Sequence, residues 1–172
     1  LRHAAYELEQ RFQHDPLGML RRTRLYVLIT ASLCKRPWLE TACAALEGGA
    51  RCLQLREKSL PDGELLSRAA QLRELTRKAA ALFIVNDRPD IARLVQADGV
   101  HLGQDDLTVA QARRIVGHRA LIGKSTHTPA QIAAALDENP DYIAIGPVFQ
   151  SATKPQNHIA GLETLAAARQ RT

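Results

Sequence analysis

Short apolar runs alternate with longer amphipathic stretches along the whole of this 172-residue chain. The runs are residues 25–29 (LYVLI), 52–55 (CLQL), 82–85 (LFIV), 99–102 (GVHL), 120–122 (ALI) and 142–145 (YIAI). Each is too short for a buried helix and rich in Leu or β-branched residues, so each is predicted to be a strand buried on both faces. Between them lie helix signals. Asp62 is placed to cap a helix whose apolar stripe is Leu65, Leu66, Ala69, Leu72 and Leu75. Thr108 with Gln111, and Thr128 with Gln131, have the spacing of a capping box, and Pro129 occupies the favoured first helical position. Gly48-Gly49 is expected to end a helix beginning near Trp38. Strand followed by helix, six times over, demands parallel strands joined by crossovers. An α/β fold follows, either a doubly wound open sheet or a (β/α)8 barrel.

The length suits one domain with a sizeable core. Residues 1–22 are expected to form an N-terminal helical extension, with Asp15-Pro16 as its breaker. Residues 23–172 are expected to form the strand-and-helix domain. Six βα units are two short of a barrel, which typically runs to ~250 residues, so the chain is expected to be a piece of something longer.

Composition narrows the class only a little. Hydrophobic residues at 45% and charged residues at 24% fit a folded, soluble domain. No apolar run approaches the roughly 20 residues that a membrane helix needs. Three cysteines without metal-ligand spacing point to reduced thiols and a cytoplasmic location. The net charge of +5 comes largely from Arg21, Arg22 and Arg24 and from Arg68, Arg73, Arg77 and Lys78. Without interleaved aromatics, these read as solvated helix faces and one polyanion-binding cleft, not a nucleic-acid surface.

Candidate chemistry sits where strands run into loops. Gln54, Arg56 and Lys58 alternate at the end of the second run, so an amide and two cations point the same way. Such a group is costly to bury alone, and a pyrophosphate would satisfy it, with Arg as a fork and Lys as a point charge. Asp87 and Asp106 end the next two runs. Each has a plainer role near a helix N-terminus, but two neighbouring carboxylates are how Mg²⁺ is held when phosphates supply its other oxygens. Ser125 follows the fifth run, and Ser151, Thr153 and Lys154 the sixth. His127 suits a surface or capping role better than that of a base.

Taken together, LQLREK (53–58), VND (85–87), ADGVHLGQDD (97–106), IGKSTH (122–127) and DYIAIGPVF (141–149), with TK at 153–154, resemble the thiamine phosphate synthase family over residues 24–169. The resemblance implies a (β/α)8 TIM barrel, here its first six units. It implies a transferase that joins hydroxymethylpyrimidine pyrophosphate to thiazole phosphate and releases pyrophosphate, with Mg²⁺ as cofactor. Gln54, Leu55, Arg56, Glu57, Lys58, Asn86, Ser125 and Lys154 would contact the pyrimidine pyrophosphate. Arg56, Lys58, Ser125 and Lys154 would also act in catalysis. Asp87 and Asp106 match the metal ligands, and Ser151, Ala152 and Thr153 match the segment that meets thiazole phosphate. Ser151 stands where the family usually has Thr.

The partners so implied are small molecules, with no nucleic acid and no membrane; homo-oligomerisation is left open. Two rivals stand beside this reading. A related thiazole tautomerase would not need the magnesium pyrophosphate residues, and a non-catalytic ligand-binding or regulatory barrel would bind both ligands without turnover. The loops after a seventh and eighth strand hold thiazole phosphate in the family, so the 172-residue polypeptide alone is expected to be inactive. Turnover by that purified polypeptide would overturn the expectation.

Overall fold

A computed structural model describes residues 15–150 and 159–171. Six strands, β1 (Tyr26–Ile29), β2 (Cys52–Leu55), β3 (Leu82–Asn86), β4 (Gly99–Leu102), β5 (Leu121–Thr126) and β6 (Tyr142–Ile145), form one sheet. Every neighbouring pair is parallel, and the spatial order is the chain order. A doubly wound sheet reverses direction at a switch point. Here the strands advance in one direction from β1 to β6, so the two architectures separate: this is a half-barrel of the TIM type.

The helices are α1 (Pro16–Arg22), α2 (Trp38–Glu47), α3 (Asp62–Lys78), α4 (Pro89–Leu94), α5 (Val109–Val116), α6 (Pro129–Asp137) and α7 (Gly161–Arg169). Strand residues alternate between two apolar layers. Ile29, Leu53, Leu55, Phe83, Val85, Val100, Leu102 and Ile122 face outward and pack beneath α2–α5 through Leu46, Leu65, Ala69, Leu72, Ile91 and Ala112. Cys52, Leu82, Ile84 and Leu121 face inward, where Leu17, Met19 and Leu20 of α1 cover them. Cys52, Leu82 and Leu121 begin their strands, so α1 plugs the N-terminal end of the half-barrel.

Several local signals act as their chemistry requires. Thr108 and Gln111 form a reciprocal capping box at α5. Thr128 caps α6 by accepting from the Gln131 amide, but the Gln131 side chain turns instead to the His127 N–H. Gly48 caps α2, and Gly49 takes φ +98°, a conformation that suits glycine. One expectation needs correction. Asp62 is the first residue of α3, after Pro61, and caps nothing; its carboxylate accepts from Arg88 at 2.6 Å. Asp15-Pro16 opens α1, where the Asp15 carboxylate accepts from Gly18 N; the residues before it lie outside those described.

Burial on both faces holds for β2, β3 and β4 and fails for β1 and β6. Among the described residues each of these two strands has a single neighbour, and Leu28 of β1 is 53% exposed. β5 extends four residues past the expected run, because its Lys-Ser-Thr end is laddered to β6, with Lys124 also paired to β4. Lys124 is buried there and faces Glu138, 3.8 Å away.

At the N-terminal end, one device appears twice. Asp98, just before β4, accepts from Phe83 N of β3 and from Arg73 of α3, both at 2.8 Å. Asp141, just before β6, accepts from Ile122 N of β5 at 2.7 Å and from Arg113 of α5 at 2.5 Å. Each carboxylate ties a strand to its neighbour and to the helix behind, fixing register where no ligand could do so. The Asp98 side chain is 2% exposed and that of Asp141 27%. Removing one partner of a buried pair strands the other, at a cost of about 3–5 kcal/mol. Asp98→Ala should destabilise the protein by an amount in that range and Asp141→Ala by clearly less, measured by urea unfolding.

Candidate active site

Parallel pairing sets the inward-facing residues in rows across the strands. Asn86, His101, Gly123 and Tyr142 are register partners, one from each of β3 to β6. Gln54 lies toward the β1 side and Ser125 one step further along β5. The absent Gly123 side chain decides the geometry: a Cβ there would lie 2.1 Å from Tyr142 Cζ. Glycine thus lets the Tyr142 ring lie across β5 to reach its neighbours.

A hydrogen-bonded chain runs across this face. Gln54 Nε2 donates to Tyr26 Oη at 2.7 Å, and the Tyr26 and Tyr142 hydroxyls meet at 3.1 Å. Tyr142 Oη meets His101 Nδ1 at 3.1 Å, and His101 Nε2 meets Ser125 Oγ at 2.8 Å. Burial lowers the His101 pKa to about 4, against an opposing pull from the Asp106 charge. The imidazole is therefore neutral near pH 7, with one nitrogen donating and the other accepting. Burial likewise raises the Tyr142 and Tyr26 hydroxyls above their ordinary range, so both keep their protons. Gln104 Nε2 donates to the Ser125 carbonyl at 2.5 Å, fixing the backbone beside that hydroxyl.

Charge gathers at the loop end of the same face. Lys58 Nζ lies 3.2 Å from Asp87 Oδ2. The Asp87 carboxyl titrates above the usual carboxylate range, first through burial and then through a hydrogen bond and charge from Asp106, with Lys58 opposing. Asp87 and Asp106 are thus adjacent. Asp87 also takes φ +62°, uncommon for a residue with a side chain, and its amide donates to the His101 carbonyl at 2.8 Å. Asp106 Oδ2 accepts from Gly103 N at 2.5 Å, which holds its loop. Beside them, Asn86 Nδ2 is buried and has no hydrogen-bond partner among the described residues.

Of the residues expected in the site, Gln54, Asn86, Asp87, Asp106, Ser125 and Lys58 are brought together, and Arg56 lies half-buried at the start of the same loop. Two side chains are not. Leu55 is 1% exposed in the outward apolar layer, away from the face that carries Gln54. Glu57 turns outward to Ala31 N and Arg68. Strand alternation separates both from their neighbours. Ser151, Ala152, Thr153 and Lys154 lie outside the described residues. His127 holds the Gly146 carbonyl through Nδ1 at 2.5 Å, a structural contact. His101, Tyr26 and Tyr142 were missed, although each is the one polar side chain of its own apolar run.

A family model described as thiamine monophosphate synthase matches residues 25–172. The chain belongs to this family. It is 42% identical to the thiamine-phosphate synthase of Nostoc sp. over 171 residues, 99% of this chain and 48% of that protein. The corresponding enzyme of Chloroflexus aurantiacus is 44% identical over 149 residues, 86% of this chain and 68% of that protein. The structure of thiamine phosphate pyrophosphorylase from Pyrococcus furiosus superposes with a TM-score of 0.79 at 34% identity, covering 92% of this chain and 72% of that one. The chain spans about half the length of curated relatives such as the Nostoc protein.

The buried neutral histidine has a measurable consequence. Its folded pKa of about 4 lies below its ordinary 6.5, so its contribution to stability is complete above pH 6.5 and is lost as pH falls toward 4. The loss amounts to about 3 kcal/mol. Unfolding free energies from urea titrations at pH 7 and pH 4 should differ less in His101→Gln than in the parent by roughly that amount.

Proposed function

We propose that this chain carries the pyrimidine-pyrophosphate half of a thiamine phosphate synthase site, with Mg²⁺ as cofactor. The reaction would condense hydroxymethylpyrimidine pyrophosphate with thiazole phosphate to thiamine phosphate and pyrophosphate. The observation that carries the reading is the cluster of Lys58, Asp87 and Asp106 beside the unpartnered buried amide of Asn86. An orphaned buried donor and two abutting carboxylates both call for further occupants, the first an acceptor and the second a cation. The same cluster has no use in the tautomerase alternative.

The donor set suits magnesium. Among the described residues no group of three or more His, Cys, Asp or Glu side chains could hold a metal. Two carboxylates on neighbouring strand ends are enough when phosphate oxygens and water complete the shell. When bound, Mg²⁺ supplies positive charge against the departing pyrophosphate.

The remaining work falls to side chains. Arg56, Lys58 and Lys154 would neutralise charge as the methylene–oxygen bond breaks, a stabilisation largest in a fixed, partly desolvated site. Asn86 would donate to a phosphate oxygen. Ser125, held by His101, and Gln54, held by Tyr26, would orient the pyrimidine ring, which stabilises the developing carbocation until the thiazole nitrogen attacks. Ser151, Ala152 and Thr153 would meet thiazole phosphate. No protein nucleophile is required. The family fold supports a closed (β/α)8 barrel for the whole enzyme. Among the described residues no helix is long and apolar enough to cross a membrane; we place the enzyme in the cytoplasm, acting on small molecules.

In the complete protein, pyrophosphate release should require both substrates and Mg²⁺ and should stop on chelation. Asp87→Ala and Asp106→Ala should each lower kcat/KM by at least about 100-fold while leaving the circular dichroism spectrum unchanged. Normal turnover by both variants would return these carboxylates to a structural role.

A further inference from the structure

Glu57 stands between Arg56 and Lys58 in sequence, within the segment expected to hold a pyrophosphate. A carboxylate aimed at a polyanion would repel it. The structure resolves the conflict by turning Glu57 away: its side chain is only 10% exposed, and Oε1 accepts from Ala31 N at 2.8 Å and from Arg68 Nη1 at 3.1 Å. Ala31 opens the short 3-10 turn Ala31–Leu33 after β1. Arg68 belongs to α3, is itself held by Glu64 at 2.5 Å, and lies 5.5 Å from the Trp38 ring centroid at the start of α2.

The backbone on the N-terminal side of Glu57 is tied to the same turn. Arg56 N donates to the Ile29 carbonyl at 2.8 Å, and Thr30 Oγ1 donates to the Arg56 carbonyl at 2.8 Å. On the other side, Lys58 reaches Asp87 but is 59% exposed, so that contact alone holds it weakly. Among the described residues, Glu57 is the polar side chain that ties this loop to α3 and to the first βα turn, beside the apolar packing of Leu60.

We propose that Glu57 is a positioning residue: through Ala31 N and Arg68 it fixes the loop so that Arg56 and Lys58 face the anion site already ordered. It does not touch the substrate. Preorganised cations lose less freedom on binding than mobile ones, so the anchor acts on affinity for the pyrophosphate group. The inference rests on the functional reading above and refines one residue of it.

The test uses the complete protein and magnesium pyrophosphate itself as probe. Calorimetry and amide hydrogen exchange are compared for the parent, Glu57→Ala, Glu57→Gln and Arg68→Ala. Glu57→Ala should weaken magnesium pyrophosphate binding about tenfold or more and speed exchange in residues 30–33 and 56–60. Glu57→Gln keeps an acceptor for Ala31 N and should recover most of both effects. Arg68→Ala should resemble Glu57→Ala, and the double variant should be little worse than either, because both break one anchor. Unchanged affinity in Glu57→Ala would overturn the proposal. So would lost affinity without faster exchange, since that is the mark of direct contact. A parent protein that binds no magnesium pyrophosphate would sink the functional reading instead, and exchange alone would then decide whether Glu57 holds the loop.

Discussion

Asp87 and Asp106 lie side by side, and the organisation of the loop end of this half-barrel follows from that. Two carboxylates in contact repel one another, and burial makes the repulsion harder to screen. Here it is met partly by Lys58, while the Asp87 carboxyl titrates above the usual range and its backbone is held at positive φ. A chain free to relax would part the two groups. Parallel pairing of β3 with β4, the Asp87 amide bonded to the His101 carbonyl, and the Gly103 amide on Asp106 keep them together. The site is thus strained in a specific sense: its two acidic groups are held close although their charges repel.

The two ends of the sheet divide stability from chemistry. At the N-terminal end, Asp98 and Asp141 are satisfied by a strand amide and a helix arginine, and their fields are spent within the fold. At the loop end, the acidic pair is incompletely matched and, among the described residues, a buried amide has no partner. Similar carboxylates serve opposite purposes because one pair is surrounded by donors and the other faces outward from the strand ends. This is the division expected of a barrel, whose C-terminal face carries function. Between the two ends, the chain from Gln54 to Ser125 joins neutral groups into one network, so that both ends of the inner face are oriented together.

Much of this was legible in residue order. The six runs, the stripe of α3, the capping box at Thr108 and the glycine stop after α2 are local facts, set by side chains within a few positions of one another. So were the cations and carboxylates at successive strand ends, since alternation and run length place them without knowledge of partners. The misreadings have a common cause. Asp62 carries a capping residue's chemistry, yet Arg88 from another loop takes its carboxylate. The β5 run seemed to stop at Ile122 because Lys124 and Ser125 are polar, yet Glu138 and His101 satisfy them from distant segments.

By itself, then, the order of residues determined that strands and helices alternate, that the strands run parallel, and which end of each carries charge, because these depend on period and neighbourhood. Only the tertiary structure decided that the strands advance without reversal, that Tyr142 crosses Gly123 to meet His101, and that Glu57 turns from its flanking cations to Arg68. Those outcomes rest on contacts between residues 11 to 41 positions apart, and side-chain spacing carries no record of which partner will be there.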